Sequence, residues 1–201
     1  MICKNYYYYY KRAFSSKFCE DIIKYGLKHE THRAKIGKNP YFDEKDKKQL
    51  KILKKKRDSH VVWMNDPWIL REIRPWLVKV NEEAEWNFQW DNSQPFQFTQ
   101  YEKGQYYGWH VDSTNIGDEE GKVRKLSLTL NLSKPQDYEG GELEFYFPRG
   151  GSIKPSVKRC TEIKEQGSIV FFPSFLLHQV KPVTKGKRHS LVCWHVGNPF
   201  Q

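Results

Sequence analysis

From Leu126 to Leu132 the chain alternates leucine with a small polar residue, setting Ser127, Thr129 and Asn131 between four leucines. A repeat of two belongs to a β-strand, whose successive side chains leave opposite faces. It does not suit a helix, where apolar positions recur every three to four residues. The leucine face must pack on a core. The polar face either meets water or, in a barrel-like fold, lines a polar pocket.

The same short period governs the chain from about Asn87 to residue 197, punctuated by Gly and Pro. Strands are expected near 96–101, 106–111, 125–132, 142–147, 160–163, 168–172, 178–183 and 189–196. Short strands at this spacing predict a sandwich or jelly roll. Ahead of them the pattern is helical. Residues 16–29 carry Cys19, Ile22, Ile23 and Leu27 at helical spacing, with Ser15 or Ser16 as the cap. His60 to Trp63 reads as a short strand. Asp66-Pro67 then opens another helix, Asp capping the free amides and Pro losing no hydrogen bond at the first position. Its buried stripe is Trp68, Ile69, Ile73, Trp76, Leu77, Val80 and Ala84, with a kink or restart at Pro75. The expected fold class is mainly β, with N-terminal helices packed on one outer face. One domain is expected over 1–201, divided into a helical support region (1–90) and a strand-rich core (91–201).

A chain of 201 residues buries enough surface to fold without covalent staples. Its four cysteines, Cys3, Cys19, Cys160 and Cys193, form no CxxC pair, which argues against a disulfide framework or zinc knuckle. No apolar run approaches the length of a membrane span. Tyr6 to Tyr10 is followed at once by Lys11 and Arg12, unlike a signal peptide, so a cytoplasm is the expected compartment. The formal charge of +10 is partly local, since Lys45 to Arg57 holds eight basic residues against one Asp. That segment is either a solvated face or a guide for an acidic partner.

The passage with most chemistry runs from Tyr101 through Tyr107-Gly108-Trp109 to His110-Val111-Asp112. His110 and Asp112 stand two apart at a strand end, so their side chains can share a side. Two imidazoles and one carboxylate on one face of an octahedron leave three positions open, the arrangement of non-haem iron(II) oxygenases. The second imidazole must come from His178, His189 or His195. His178 enters a strand after the buried run Phe171-Phe172-Pro173, and Arg188 opens the last strand ten residues later. Arg188, Ser190, Val192 and Trp194 share one face of that strand, and His189 and His195 the other. A guanidinium meets a carboxylate through two parallel hydrogen bonds, which lysine cannot copy.

From about Phe96 to Val196 the chain resembles the 2-oxoglutarate/iron(II) oxygenases of the prolyl-4-hydroxylase-like family, including small members from bacteria and bacteriophages. The likeness is carried by Tyr107-Gly-Trp-His110-Val-Asp112, Gly140-Gly-Glu-Leu143, Gly167-Ser-Ile-Val-Phe-Phe-Pro173, His178-Gln-Val-Lys-Pro182-Val and Lys187-Arg188-His-Ser-Leu-Val-Cys-Trp194. It implies a double-stranded β-helix in which His110, Asp112 and His178 hold Fe(II). Arg188 would grip the far carboxylate of 2-oxoglutarate, and ascorbate would serve as reductant. Tyr101 and Tyr107 fall where the family often has a tyrosine near the cosubstrate, although core packing explains Tyr107 as well. Asn131 stands roughly where some relatives have a carboxylate-binding tyrosine, and Thr129 is the alternative. Trp194 is expected to wall the pocket beside the metal.

The implied activity uses dioxygen to hydroxylate a C–H bond, with a protein or peptide residue as substrate and no membrane partner. Oxidative demethylation of nucleic acid is an alternative that the positive charge invites, but residues 189–196 lack the second arginine usual in such enzymes. A noncatalytic jelly-roll binding protein has no reason to keep all four residues. A zinc hydrolase leaves Arg188 unexplained, and Arg188 could instead pair with Glu142 or Glu144.

Overall fold

The computed structural model of the chain describes residues 3, 5–34, 46–113, 117–147 and 156–200. The polar stretch with Gly37, Asn39 and Pro40, and part of the loop 113–123, lie outside the described residues. The N-terminal part holds strand β1 (Tyr8–Tyr10), helix α1 (Ser16–Gly26), β2 (His32–Arg33), α2 (Lys47–Lys54), β3 (Arg57–Asp58), β4 (His60–Met64) and α3 (Pro67–Glu83). Then come β5 (Asn92–Ser93), β6 (Phe96–Tyr101), β7 (Tyr106–His110), β8 (Val123–Asn131), β9 (Tyr138–Gly140) and β10 (Leu143–Phe147). The chain finishes with β11 (Ser156–Arg159), β12 (Ile169–Pro173), β13 (His178–Val180), β14 (Val183–Gly186) and β15 (Arg188–Gly197).

The larger sheet runs β1-β12-β8-β15-β6-β4-β2, with β5 also paired to β15; the smaller runs β11-β10-β13-β7-β3, and β9 pairs with β14. The pairings are antiparallel. This is the expected jelly roll with helices on one face. Residues before 91 also extend both sheets, because β1, β2 and β4 join the larger and β3 the smaller.

Leu126, Leu128 and Leu130 of β8 are fully buried in one cluster with Cys19 and Ile22 of α1 and Ile69, Ile73, Leu77 and Val80 of α3. The leucine face therefore lies under the helices. Burying each such side chain contributes roughly 1.5–3 kcal/mol. The opposite face points between the sheets, and Ser127, Thr129 and Asn131 are buried there. The second cluster, with Tyr101, Leu143, Phe145, Phe172, Val180 and Val183, fills that inter-sheet space. Of the two readings of the polar face, the enclosed one holds.

Several local expectations are corrected. Helix α1 is capped by Ser15, whose side chain accepts from the Phe18 N–H, but it ends at Gly26, and Leu27 is exposed. Asp66 makes no side-chain cap on α3; its carboxylate instead accepts the Tyr25 hydroxyl at 2.8 Å. Helix α3 runs through Pro75 without a restart. Pro75 is exposed, so the helical carbonyl deprived of a donor faces solvent. Residues 161–163 form a 3-10 turn rather than a strand. The expected strand 178–183 breaks at Lys181-Pro182, and Val183 onward leaves to pair with β9. Proline lacks the N–H that a continuous ladder needs.

Candidate metal and cosubstrate site

β13 pairs antiparallel with β7, and His178 is the register partner of His110. Their ring centroids lie 4.1 Å apart. Asp112 follows β7 in a turn whose shape is fixed by Ser174, because the N–H groups of Asp112 and Ser113 both donate to the Ser174 carbonyl at 2.9 Å. The ligand atoms of His110, Asp112 and His178 all lie within 4.8 Å of one another. His110 Nε2 is 3.7 Å from one carboxylate oxygen, and His178 Nε2 is 3.6 Å from the other.

The surroundings aim these atoms. His110 Nδ1 meets the Gly108 carbonyl at 2.7 Å, and His178 Nδ1 meets the Leu176 carbonyl at 2.8 Å. A carbonyl only accepts, so both Nδ1 atoms carry the proton and both Nε2 lone pairs face the carboxylate. Ser127 donates to Asp112 Oδ2 at 2.7 Å and also meets Ser174 Oγ at 2.8 Å. Burial, helped by nearby His178, pushes His110 down to about 3, so its ring is neutral, as a ligand must be. Burial alone would raise Asp112, but His178, His110, Arg124 and the Ser127 hydroxyl outweigh it and hold the carboxyl below its usual range. Two imidazoles and one carboxylate, spaced for bonds of about 2 Å to a common centre, fit a divalent ion. His189 and His195 stand elsewhere. His189 Nε2 meets Gln100 at 3.1 Å, and His195 Nδ1 meets Ser93 at 2.8 Å.

Arg188 starts β15 opposite Tyr101, and its guanidinium lies 5.7 Å from the centre of that ring. It is 2% exposed, yet among the described residues its one polar contact is a long 3.4 Å bond to Ser190. Among the described residues no carboxylate pairs with it. Glu142 and Glu144 lie instead 3.8 and 3.5 Å from Arg159. A buried guanidinium left this way calls for an external anion. Ser127, Thr129 and Ser190 form a buried polar lane on the same inner face.

Thr129 has no hydrogen-bond partner among the described residues, so its hydroxyl is free. Asn131 is not. Its amide nitrogen donates to the carbonyls of Ser133 and Lys164 at 3.1 and 3.0 Å and approaches that of Glu165 at 3.4 Å. Only its Oδ1 lacks a partner, and an oxygen acceptor repels a carboxylate. The structure removes Asn131 from the carboxylate-binding set.

Tyr107 stacks on His110 with centroids 3.5 Å apart and planes at 10°, and Arg57 covers its other face at 4.4 Å. Burial raises its hydroxyl to about 12. Trp194 is the register partner of Ser127, which places it at the metal end of the lane. Arg124 lies 3.9 Å above its ring and donates to Gln94 at 2.8 Å. Sequence reasoning missed Arg57, Arg124 and Ser174. Strict alternation puts Arg124 on the leucine face, but the register shifts between His195 and Val196 and brings it to the inner face.

A double-stranded β-helix whose inner face holds two histidines, one carboxylate and a buried arginine defines the class of non-haem metal oxygenases. The profile of the 2OG-Fe(II) oxygenase superfamily matches residues 96–196, and the chain belongs to that family. A PKHD-type hydroxylase of Shewanella sp. strain ANA-3 is 41% identical over 98 residues, covering 48% of this chain and 40% of that protein. One from Pseudoalteromonas atlantica is 38% identical over 104 residues, covering 50% and 42%. The chain thus spans about two fifths of the length of these curated relatives. A Pseudomonas putida prolyl-4-hydroxylase shares the fold with a TM-score of 0.71 at 16% identity, covering 98% of this chain and 95% of that one. The viral collagen prolyl hydroxylase of Paramecium bursaria Chlorella virus-1, solved as a 2OG complex, has a TM-score of 0.68 at 20% identity, with 98% and 99% covered.

When bound, Fe(II) would supply the oxidative chemistry, as the metal does in this class. The chain's part is to present His110, Asp112 and His178 on one face and to keep the His110 imidazole neutral. Arg188 and Thr129 would orient a dicarboxylate along the lane, while Phe172, Leu143 and Trp194 exclude water.

Proposed function

We propose that the chain is a single oxygenase domain, an Fe(II)- and 2-oxoglutarate-dependent dioxygenase that hydroxylates a C–H bond of a protein or peptide residue, as a prolyl hydroxylase does. His110, Asp112 and His178 hold the iron, Arg188 and Thr129 hold the cosubstrate, and ascorbate is an external reductant. The observation that carries this reading is the buried Arg188, without a carboxylate partner among the described residues, on the same inner face as the three-residue cluster. Relatives named PKHD-type hydroxylase support it. A fold neighbour from Trichoplax adhaerens, a prolyl hydroxylase with a TM-score of 0.65 at 16% identity, was solved with a peptide fragment of hypoxia inducible factor, which makes peptides the first substrates to try. The four free, buried thiols suit a reducing cytoplasm. Among the described residues no helix is long and apolar enough to cross a membrane.

The test is oxidation of 2-oxoglutarate to succinate by the Fe(II)-loaded protein, followed by a mass screen of peptides for one added oxygen. Asp112→Ala is expected to abolish both. Succinate formation that persists in this variant sinks the assignment.

A further inference from the structure

Arg188 also borders a cavity of about 170 Å³, together with Tyr138, Gly141, Cys160, Lys164 and the ion-paired Arg159. Arg159 is answered by Glu142 and Glu144. Arg188 and Lys164 have no carboxylate partner among the described residues. Two unanswered cations on one small cavity form a site for an anion.

Lys164 is set in place by the chain around it. Its backbone carbonyl accepts from the Asn131 amide at 3.0 Å. Its ammonium donates to the Tyr138 carbonyl at 3.0 Å and sits 3.5 Å from the centre of the Tyr138 ring. The same wall carries Arg188: a side chain built on Gly141 would meet the Arg188 Cδ at 2.9 Å and the Tyr138 ring at 3.8 Å. The hydrogen bond to the Tyr138 carbonyl uses one of the three ammonium donors and the ring faces another, which leaves a donor for a ligand. Asn131, in line with the lane, offers an anion no donor.

We propose that Lys164 is the second cation that binds the far carboxylate of 2-oxoglutarate, acting beside Arg188. This rests on the reading that the chain uses 2-oxoglutarate. A carboxylate has about four acceptor sites, and a forked arginine fills two of them. Lys164 fills a third, and Asn131 serves the cosubstrate indirectly by holding the turn that presents Lys164.

The experiment is calorimetric binding to Mn(II)-loaded protein, which needs no turnover. It compares 2-oxoglutarate with 2-oxopentanoate, which keeps the keto acid but lacks the far carboxylate. Lys164→Met should weaken 2-oxoglutarate binding on the order of ten- to a hundredfold, the usual weight of a charge-assisted hydrogen bond. Binding of 2-oxopentanoate should not change, and Lys164→Arg should restore affinity for 2-oxoglutarate to within about threefold. Unaltered 2-oxoglutarate affinity in Lys164→Met overturns the role of Lys164. So does an equal loss for both acids, which would show a collapsed pocket. Wild-type protein that prefers neither acid would overturn the use of 2-oxoglutarate as well.

Discussion

His110 and His178 face each other across β7 and β13 as register partners, each with its Nδ1 proton held by the carbonyl two residues earlier in the chain. The pairing turns residues far apart in sequence into a rigid two-nitrogen fork. Asp112 closes the fork because Ser174 fixes its turn and Ser127 holds one carboxylate oxygen.

Ser127→Ala removes the 2.7 Å hydrogen bond to Asp112 without touching a proposed ligand. Second partners of this kind are worth roughly 10–100-fold in metal affinity. Titration of the metal-free protein with Fe(II) or Mn(II) should show a loss in that range. An unchanged dissociation constant would mean that Asp112 is aimed by its turn alone.

Stability of the metal-free protein should fall as the solution is acidified below about pH 6.5. Burial pushes His195 down to about 3 and His189 down to about 4. The unfolded chain takes up these protons near the ordinary histidine value of about 6.5, and the folded chain refuses them until lower pH. The unfolded state thus binds more protons in this window, so each group removes up to about 1.4 kcal/mol per pH unit. The urea midpoint should drop between pH 6.5 and 4, and His195→Gln should make that dependence shallower. A slope unchanged by the substitution would contradict the assignment to His195.

Asn131 and Thr129 neighbour each other on the polar face of β8 but should behave differently. Asn131→Leu strands one buried and one partly buried carbonyl and should cost about 2 kcal/mol of unfolding free energy. Thr129→Val breaks no hydrogen bond among the described residues, so it should leave stability nearly intact while weakening 2-oxoglutarate binding. Denaturant unfolding and calorimetry separate the two effects, and equal stability loss would remove the distinction.

Gly141 has φ of +66° and lies against Arg188. Gly141→Ala adds strain of about 1–2 kcal/mol and a methyl group 2.9 Å from the Arg188 Cδ. The variant should bind 2-oxoglutarate more weakly and melt at lower temperature. Full affinity would show that Arg188 has room to shift.

Much of the fold was legible because Leu126 to Leu132 alternates without fault and the short strands are well punctuated. The break at Pro182 was equally visible as chemistry, yet Val180 and Val183 on either side of it read as one continuous strand, which masked the change of sheet. Leu27 keeps the helical spacing in the sequence, yet α1 ends at Gly26 and leaves Leu27 exposed, so spacing alone overstates the helix. The metal cluster was legible as a spacing of residue types. The role of Asn131 was not, because it depends on which carbonyls of a distant turn lie within reach. Arg124 was hidden by a register shift, which sequence periodicity does not record. Arg57 and Lys164 were hidden for another reason: each looks like an ordinary surface cation until the aromatic ring beneath it is known.

The central claim is that His110, Asp112 and His178 bind one ferrous ion onto which 2-oxoglutarate docks, with Arg188 at the far end. Anaerobic titration with Fe(II) and 2-oxoglutarate, followed by visible absorption, tests it most directly. Wild-type protein should develop a weak charge-transfer band that saturates at one iron per chain, and His178→Ala should not. A band that persists in His178→Ala, or none in the wild type, would contradict the account.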